Sequence, residues 1–155
     1  DLDSAVKKFI QEVPKYAGVL LTADHGIIDV AQDRQIYLDE LPLPHLVAVG
    51  GDPRVLFLYF KESDLEKTQN QIQEHLGKRA YVATKKELIS AGWFGELNAV
   101  AESRLPDLFA IALGETALYH RDFAKPKSLQ MIGQHGSISS DELSVPLLRF
   151  AGFAK

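Results

Sequence analysis

The chain contains no cysteine, so disulfides, thiolate metal sites and cysteine nucleophiles are all excluded. Positive charge is not in excess either. There are 17 Lys and Arg against 21 Asp and Glu, a formal net charge of −4 and a pI near 5.7. That balance weighs against a nucleic-acid surface, which is usually basic. No apolar run approaches the roughly 18 residues of a membrane-crossing helix. The chain opens on "DLDSAVKKFIQ", without a methionine and without a signal-like run. A trimmed chain or an internal piece of a longer polypeptide would open this way. Lack of cysteine does not fix the compartment; with no signal or spanning segment in view, the cytoplasm is favoured. Repeats, low-complexity segments, a G-x-S-x-G elbow, a P-loop and an H-E-x-x-H helix are also missing.

What is present is ordinary soluble composition, 46% apolar and 25% charged over 155 residues, enough for one compact domain. Val6, Phe9, Ile10 and Val13 form one stripe of an amphipathic helix, capped by Asp3 or Ser4 and ended by Pro14. Residues 17–23 read as a strand apolar on both faces, suited to the interior of a parallel sheet. Residues 26–52 are irregular, with a strand expected at 46–49. "RVLFLYF" (54–60) is a strand, "SDLE" (63–66) is a capping-box pattern opening a helix that runs to Gly77, and "RAYVA" (79–83) is a strand. "TKKE" (84–87) opens a short helix ending near Gly92. Strand, helix, strand and helix make a βαβα unit, read as an insert lobe over 53–92, with 1–52 and 93–155 forming the core. "DLFAIAL" (107–113) is a further strand with which "TALYH" (116–120) is expected to pair, and "SSDE" (139–142) starts a helix limited by Pro146. The fold class is α/β.

Two fragments carry chemistry. In "GVLLTADHGIIDV" (18–30) an apolar strand stops at Asp24, His25 and Gly26, and "IGQHGSISSDELSVPLL" (132–148) brings a second His-Gly at His135 and Gly136. Ligands of open α/β sheets gather beyond the carboxyl ends of strands, where Asp24 and His25 would lie. A carboxylate and a neutral imidazole are both good ligands for zinc and similar ions. Adjacent residues of a continuing strand point to opposite faces, so both can reach one ion only if the backbone leaves the strand there. The alternative is that Asp24 caps the next turn and His25 is a satisfied polar residue at a strand end. His135 read alone is equally a loop histidine. His45 reads as a loop residue, His75 as a cation at a helix C-terminus and His120 as part of a polar turn. Asp29, Asp33, Asp52, Asp107 and Glu115 are candidates for supporting or general-acid groups, or solvated loop acids. Tyr81, Trp93 and Phe94 are expected in the core of the insert, and Lys85 and Lys86 at a solvated helix start.

Taken together, "LLTADHG" and, about 110 residues later, "QHGSISSDELSVPLL" resemble the C-terminal half of the type I phosphodiesterase/nucleotide pyrophosphatase family, in the alkaline phosphatase superfamily. The resemblance runs from the opening helix through Leu148. It implies part of an alkaline-phosphatase-like α/β/α sandwich with a small βαβα subdomain. It also implies two divalent ions, commonly zinc and roughly 4 Å apart, serving phosphodiester or pyrophosphate hydrolysis. In the family one ion activates a Thr or Ser nucleophile, a covalent phospho-enzyme-type intermediate forms, and water resolves it. Asp24 and His25 match the pair that binds the nucleophile-side metal, and His135 matches a ligand of the other.

The family's nucleophile and its D-x-x-G-H-like motif precede the helix on which this chain begins, and no residue here matches them. Thr22 lies before the ligand pair within the strand and does not stand in. The resemblance therefore implies the C-terminal fragment of a hydrolase, inactive alone and with metal sites possible to complete only with its missing N-terminal half. Exposed sheet edge and apolar face would favour self-association of such a piece. The stretches 27–45 and 114–131 are the expected local contributors to leaving-group recognition. A sulfatase, phosphonate hydrolase or phosphomutase relative would share the metal scaffold, and a non-catalytic α/β interaction module would need none of it.

Overall fold

A computed structural model describes residues 1–62 and 64–154. In chain order the first elements are α1 (Leu2–Glu12), β1 (Gly18–Thr22), β2 (Ile28–Asp29), β3 (Gln35–Tyr37), β4 (Leu46–Asp52) and β5 (Val55–Phe60). Next come α2 (Leu65–Leu76), β6 (Ala80–Thr84), α3 (Lys85–Ser90), α4 (Ala99–Arg104) and β7 (Leu108–Ala112). The last are β8 (Ala117–Tyr119), β9 (Gly133–Gln134), α5 (Ser140–Leu143) and β10 (Leu147–Ala151). They fall into two compact units, one of residues 1–26 and 144–155, the other of residues 27–143.

In the first unit the Asp1 carboxylate, not Asp3 or Ser4, caps α1 by accepting from the Ser4 N–H at 2.9 Å. Val13, the residue before Pro14, turns extended (ψ 130°), because the proline ring disfavours the helical conformation of its predecessor. β1 pairs antiparallel with β10, Gly18 opposite Ala151 and Thr22 opposite Leu147. This corrects one expectation, since β1 has no parallel partner among the described residues; the chain beyond Pro146, for which the sequence suggested nothing, is a strand. Leu2, Val6 and Ile10 of α1 face Leu21, Leu148 and Phe150 across an apolar groove of about 650 Å³. The opposite sheet face carries Leu20, Leu147 and Phe153, each about half exposed. Helix α1 buries no residue. A two-stranded sheet and one helix cannot cover so much apolar surface.

The second unit holds the core. Its four-stranded sheet has the order β4-β5-β7-β6, antiparallel throughout. β5 and β6 therefore run the same way with β7 between them, and β5-α2-β6 is a split βαβ crossover. All five residues of β7 are buried, which accounts for an apolar run without alternation. On one face Ile72 and Leu76 of α2 pack on Leu56, Leu58, Val82, Leu108 and Ala110. Each such aliphatic side chain contributes about 1.5–3 kcal/mol by leaving water. On the other face Leu88 of α3 and Phe94 meet Phe109 and Ile111, with Phe57 edge-on to Phe109 at 5.3 Å. Tyr81 and Trp93, expected in this core, are nearly half exposed.

Two caps set the helices that pack on this sheet. Asp64 caps α2 by accepting from Lys67 N–H, while Ser63, expected there, lies outside the described residues. Thr84 and Glu87 form the expected capping box of α3. The free edge of β6 is sealed by α2: the Gln73 side chain accepts from Val82 N–H at 2.9 Å and donates to Ala80 C=O at 3.0 Å. Gln69 donates to Val82 C=O at 3.0 Å. Two amides one helical turn apart thus take the place of a neighbouring strand.

β8 does not pair with β7 as expected. It lies parallel to β3, Gln35 opposite Ala117 and Tyr37 opposite Tyr119. β2 and β9 form a short antiparallel pair.

Candidate metal centre

β1 ends at Thr22, two residues before Asp24, so the strand alternation that would send Asp24 and His25 to opposite faces no longer applies. The two side chains meet. His25 Nε2 lies 3.7 Å from Asp24 Oδ1, and the same oxygen accepts from the His25 backbone N–H at 3.1 Å. The other ring nitrogen, Nδ1, is 2.7 Å from the Gly26 carbonyl oxygen. A carbonyl only accepts, so Nδ1 carries a proton, and in the neutral ring Nε2 is the nitrogen able to ligate a metal. Metal-ligating histidines commonly donate one ring nitrogen to a backbone carbonyl in this way.

The donor pair fits a zinc-type ion. Bonds of about 2.0–2.2 Å to each atom would together exceed the 3.7 Å separation, so one ion can join both. Asp24 is exposed at 91% and His25 at 40% of their side chains, leaving the approach open. Two donors fall short of the three or four that hold zinc tightly, and among the described residues no group of three metal-ligating side chains is gathered.

His135 belongs to the second unit, at the end of β9, and is half-buried. Its turn is held from both sides. Before it, the buried Gln134 donates to Tyr119 Oη at 3.1 Å and to Met131 C=O at 2.9 Å. After it, Gly136 adopts φ +114°, where a side chain would be strained, and an added Cβ would lie 3.5 Å from Asp52 Cβ. Ser137 then donates from its hydroxyl to Ala112 C=O at 2.6 Å and from its N–H to Glu142 Oε1 at 3.0 Å. Glu142 also receives Arg54, which rises from the tip of the β4–β5 hairpin and further donates to the Thr116 carbonyl. Burial pushes the Glu142 carboxyl up, but the bonds from Arg54, Ser139 and Ser137 outweigh it and hold it at about 2.

Arg54, Ser137 and Glu142 were not singled out by sequence. A charge heading an otherwise apolar strand, and a Ser three residues before a Glu in "SSDE", were the available signals. Of the other acids, Asp107 accepts from Phe60 N–H at 2.8 Å and Glu115 pairs with Arg34 at 2.5 Å, so both are engaged structurally. Asp52 pairs in the β4–β5 ladder, but its carboxylate has no hydrogen bond or ion pair among the described residues. His45 is a loop residue with φ +69°. His75 Nε2 and His120 Nδ1 are buried without a hydrogen-bond partner among the described residues.

A family model for type I phosphodiesterase / nucleotide pyrophosphatase matches residues 1–138. The chain belongs to that family. Its fold is similar to human ectonucleotide pyrophosphatase / phosphodiesterase 5, at 18% identity and a TM-score of 0.75, covering 97% of this chain and 39% of that one. The murine form of that protein, solved as an inactive threonine-to-alanine variant in complex with AMP, is 17% identical over 86% of this chain and 33% of its own, TM-score 0.61. Phosphonoacetate hydrolase from Sinorhizobium meliloti 1021, in complex with phosphonoformate, is 17% identical over 86% of this chain and 36% of its own, TM-score 0.55. No curated protein matches the sequence. The chain thus spans about two-fifths of the length of the first solved structures it resembles. The family is one of hydrolases, and the mixed α/β fold agrees with an alkaline-phosphatase-like architecture. No helix is long and apolar enough to cross a membrane among the described residues.

Proposed function

We propose that this chain is the C-terminal part of a two-metal hydrolase of phosphodiester or pyrophosphate bonds. Asp24 and His25 would hold the ion on the nucleophile side and His135 a ligand position on the other, with zinc the metal these donors suit. The observation that carries the reading is the Asp24–His25 pair itself, its tautomer set by the Gly26 carbonyl. Bound ions of this kind supply positive charge to the oxygens around phosphorus and acidify a coordinated hydroxyl. The chain's own residues orient. Gly26 fixes the His25 ring, and Arg54 with Glu142 fixes the turn that follows His135.

The nucleophile, a Thr or Ser, is assigned to a preceding segment, as are the remaining ligands. The apolar surfaces of α1, β1 and β10 support this, since β1 lacks a second partner strand among the described residues and further strands and helices would cover both faces. On this reading 53–92 is an insert lobe joined to the core through β4 and β7, and the chain alone is inactive and prone to self-association. A phosphonate substrate is the second reading, favoured by the similarity to phosphonoacetate hydrolase.

The test is reconstitution. The chain expressed with its upstream coding sequence should bind two zinc ions and hydrolyse bis(p-nitrophenyl) phosphate, whereas the 155-residue chain should not. Asp24→Asn, His25→Ala and His135→Ala should each lower turnover at least about a hundredfold. Turnover by the chain alone that Thr22→Ala abolishes would show the nucleophile to be misplaced, and a reconstituted protein indifferent to all three changes would remove the metal reading.

A further inference from the structure

We propose that the cavity between the β4–β5 hairpin and the turn after β8 is a subsite for a pentose-type polyol, the leaving group of the phosphodiester; the leaving-group part rests on the hydrolase reading. The cavity measures about 260 Å³ and is bounded by Gly50 and Asp52 on the hairpin side and by Tyr119, His120, Phe123 and Lys125 on the other. The space is at the small end for small-molecule sites and takes a pentose of about ten non-hydrogen atoms.

The wall chemistry selects the class. The Asp52 carboxylate is exposed and carries no hydrogen bond or ion pair among the described residues, so both oxygens can accept from a pair of neighbouring hydroxyls. His120 packs edge-on against Phe123, ring centroids 4.9 Å apart. Its Nδ1 is buried without a hydrogen-bond partner among the described residues. A buried N–H with no acceptor costs more than a bare lone pair, which places the proton on Nε2 and makes that nitrogen a donor to a ligand oxygen. Phe123, 44% exposed, offers an apolar edge to the C–H surface of a sugar ring. Lys125 adds one cation at the rim, suited to a phosphate on the same polyol.

The turn that carries these groups is fixed, not pliable. Arg121 donates from its N–H to Asp39 Oδ1 at 2.9 Å, from its guanidinium to Asp39 at 2.7 Å and Glu40 at 3.0 Å, and lies over the Tyr37 ring at 3.9 Å. Position ties the cavity to the chemistry. Asp52 abuts Gly136, so a polyol held by Asp52 lies beside the turn that carries His135. Asp52 and His120, ambiguous as sequence, thereby gain one shared role.

The probe is methyl β-D-ribofuranoside, titrated into the full chain and followed by the ring proton signals of His120 and Phe123. Saturable shifts confined to those rings are expected, at least about tenfold weaker for the 2-deoxy riboside and for Asp52→Ala. Phe123→Ala should weaken binding without altering the fold elsewhere. Absence of saturable shifts in the unsubstituted chain, or equal binding by Asp52→Ala, overturns the proposal. Riboside binding through Asp52 in a reconstituted protein that takes up no zinc would remove the hydrolase reading and leave the polyol site. A zinc-loaded, active enzyme whose KM for a ribosyl phosphodiester ignores Asp52→Ala would remove the subsite alone.

Discussion

Arg54 and Glu142 meet through both arms of the guanidinium, Nε to Oε1 at 2.9 Å and Nη2 to Oε2 at 2.8 Å, with both side chains shut off from water. A charged pair so deeply buried is costly to desolvate and persists only when its remaining hydrogen-bonding capacity is met. Here it is met, by Thr116, Ser137 and Ser139. The pair joins a hairpin tip, the β7–β8 connection and the turn that follows His135, so it holds the second unit's portion of the candidate centre in one conformation.

Removing one partner should therefore cost more than removing both. Glu142→Ala leaves the Arg54 charge buried and is expected to destabilise the second unit by about 3–5 kcal/mol. The double change Arg54→Met with Glu142→Leu should recover most of that loss. Urea unfolding followed by the fluorescence of Trp93, the sole tryptophan, measures both. A double variant no more stable than the single one would count against this account.

Acid should act through the same carboxylate. Its folded value of about 2 lies below the ordinary 4.5. Above the unfolded value the carboxylate is ionised in both states and its stabilisation is complete. As pH falls from 4.5 toward 2 the unfolded chain takes up the proton first, and the stabilisation is lost. The urea midpoint should drop across that window, and in Glu142→Gln the drop should be smaller.

The edge of β6 offers a third test. Gln73→Ala removes the side chain that satisfies Val82 N–H and Ala80 C=O, an expected cost of about 1–3 kcal/mol. The uncovered edge should also pair between molecules, so light scattering should report association beyond that of the unsubstituted chain. A variant of unchanged stability and unchanged mass in solution would show the amide bonds to be incidental.

In the chain expressed with its upstream coding sequence, metal analysis should separate the two ligand groups. His25→Ala and His135→Ala are each expected to lower the zinc content from two ions toward one, and a chelator should abolish turnover in the unsubstituted enzyme. Two ions retained in both variants would assign the ligands elsewhere.

Local features of this fold were legible as sequence because their causes are local. The α1 stripe, the Thr84–Glu87 capping box and the apolar β5 and β7 follow from periodicity and capping chemistry within a few residues. Pairing was not legible. β8 sits beside β3 and not β7, and β10 emerges beyond Pro146 to pair with β1, because strand partners are chosen by packing among distant segments. Tyr81 and Trp93 were misplaced for a similar reason: aromatic character does not say which face a helix will cover.

The sequence by itself determined the chemistry that can be done: no thiol, an Asp-His-Gly at a strand end, and a later His-Gly in family order. Tertiary structure decided which groups are held and how. The Gly26 carbonyl selects the His25 tautomer, and a bend after β1 lets Asp24 and His25 face one another. An arginine 88 residues from its glutamate locks the turn behind His135. Such long-range contacts leave no period in the sequence. They form only when folding removes water from both partners and makes an unpaired charge too costly to keep.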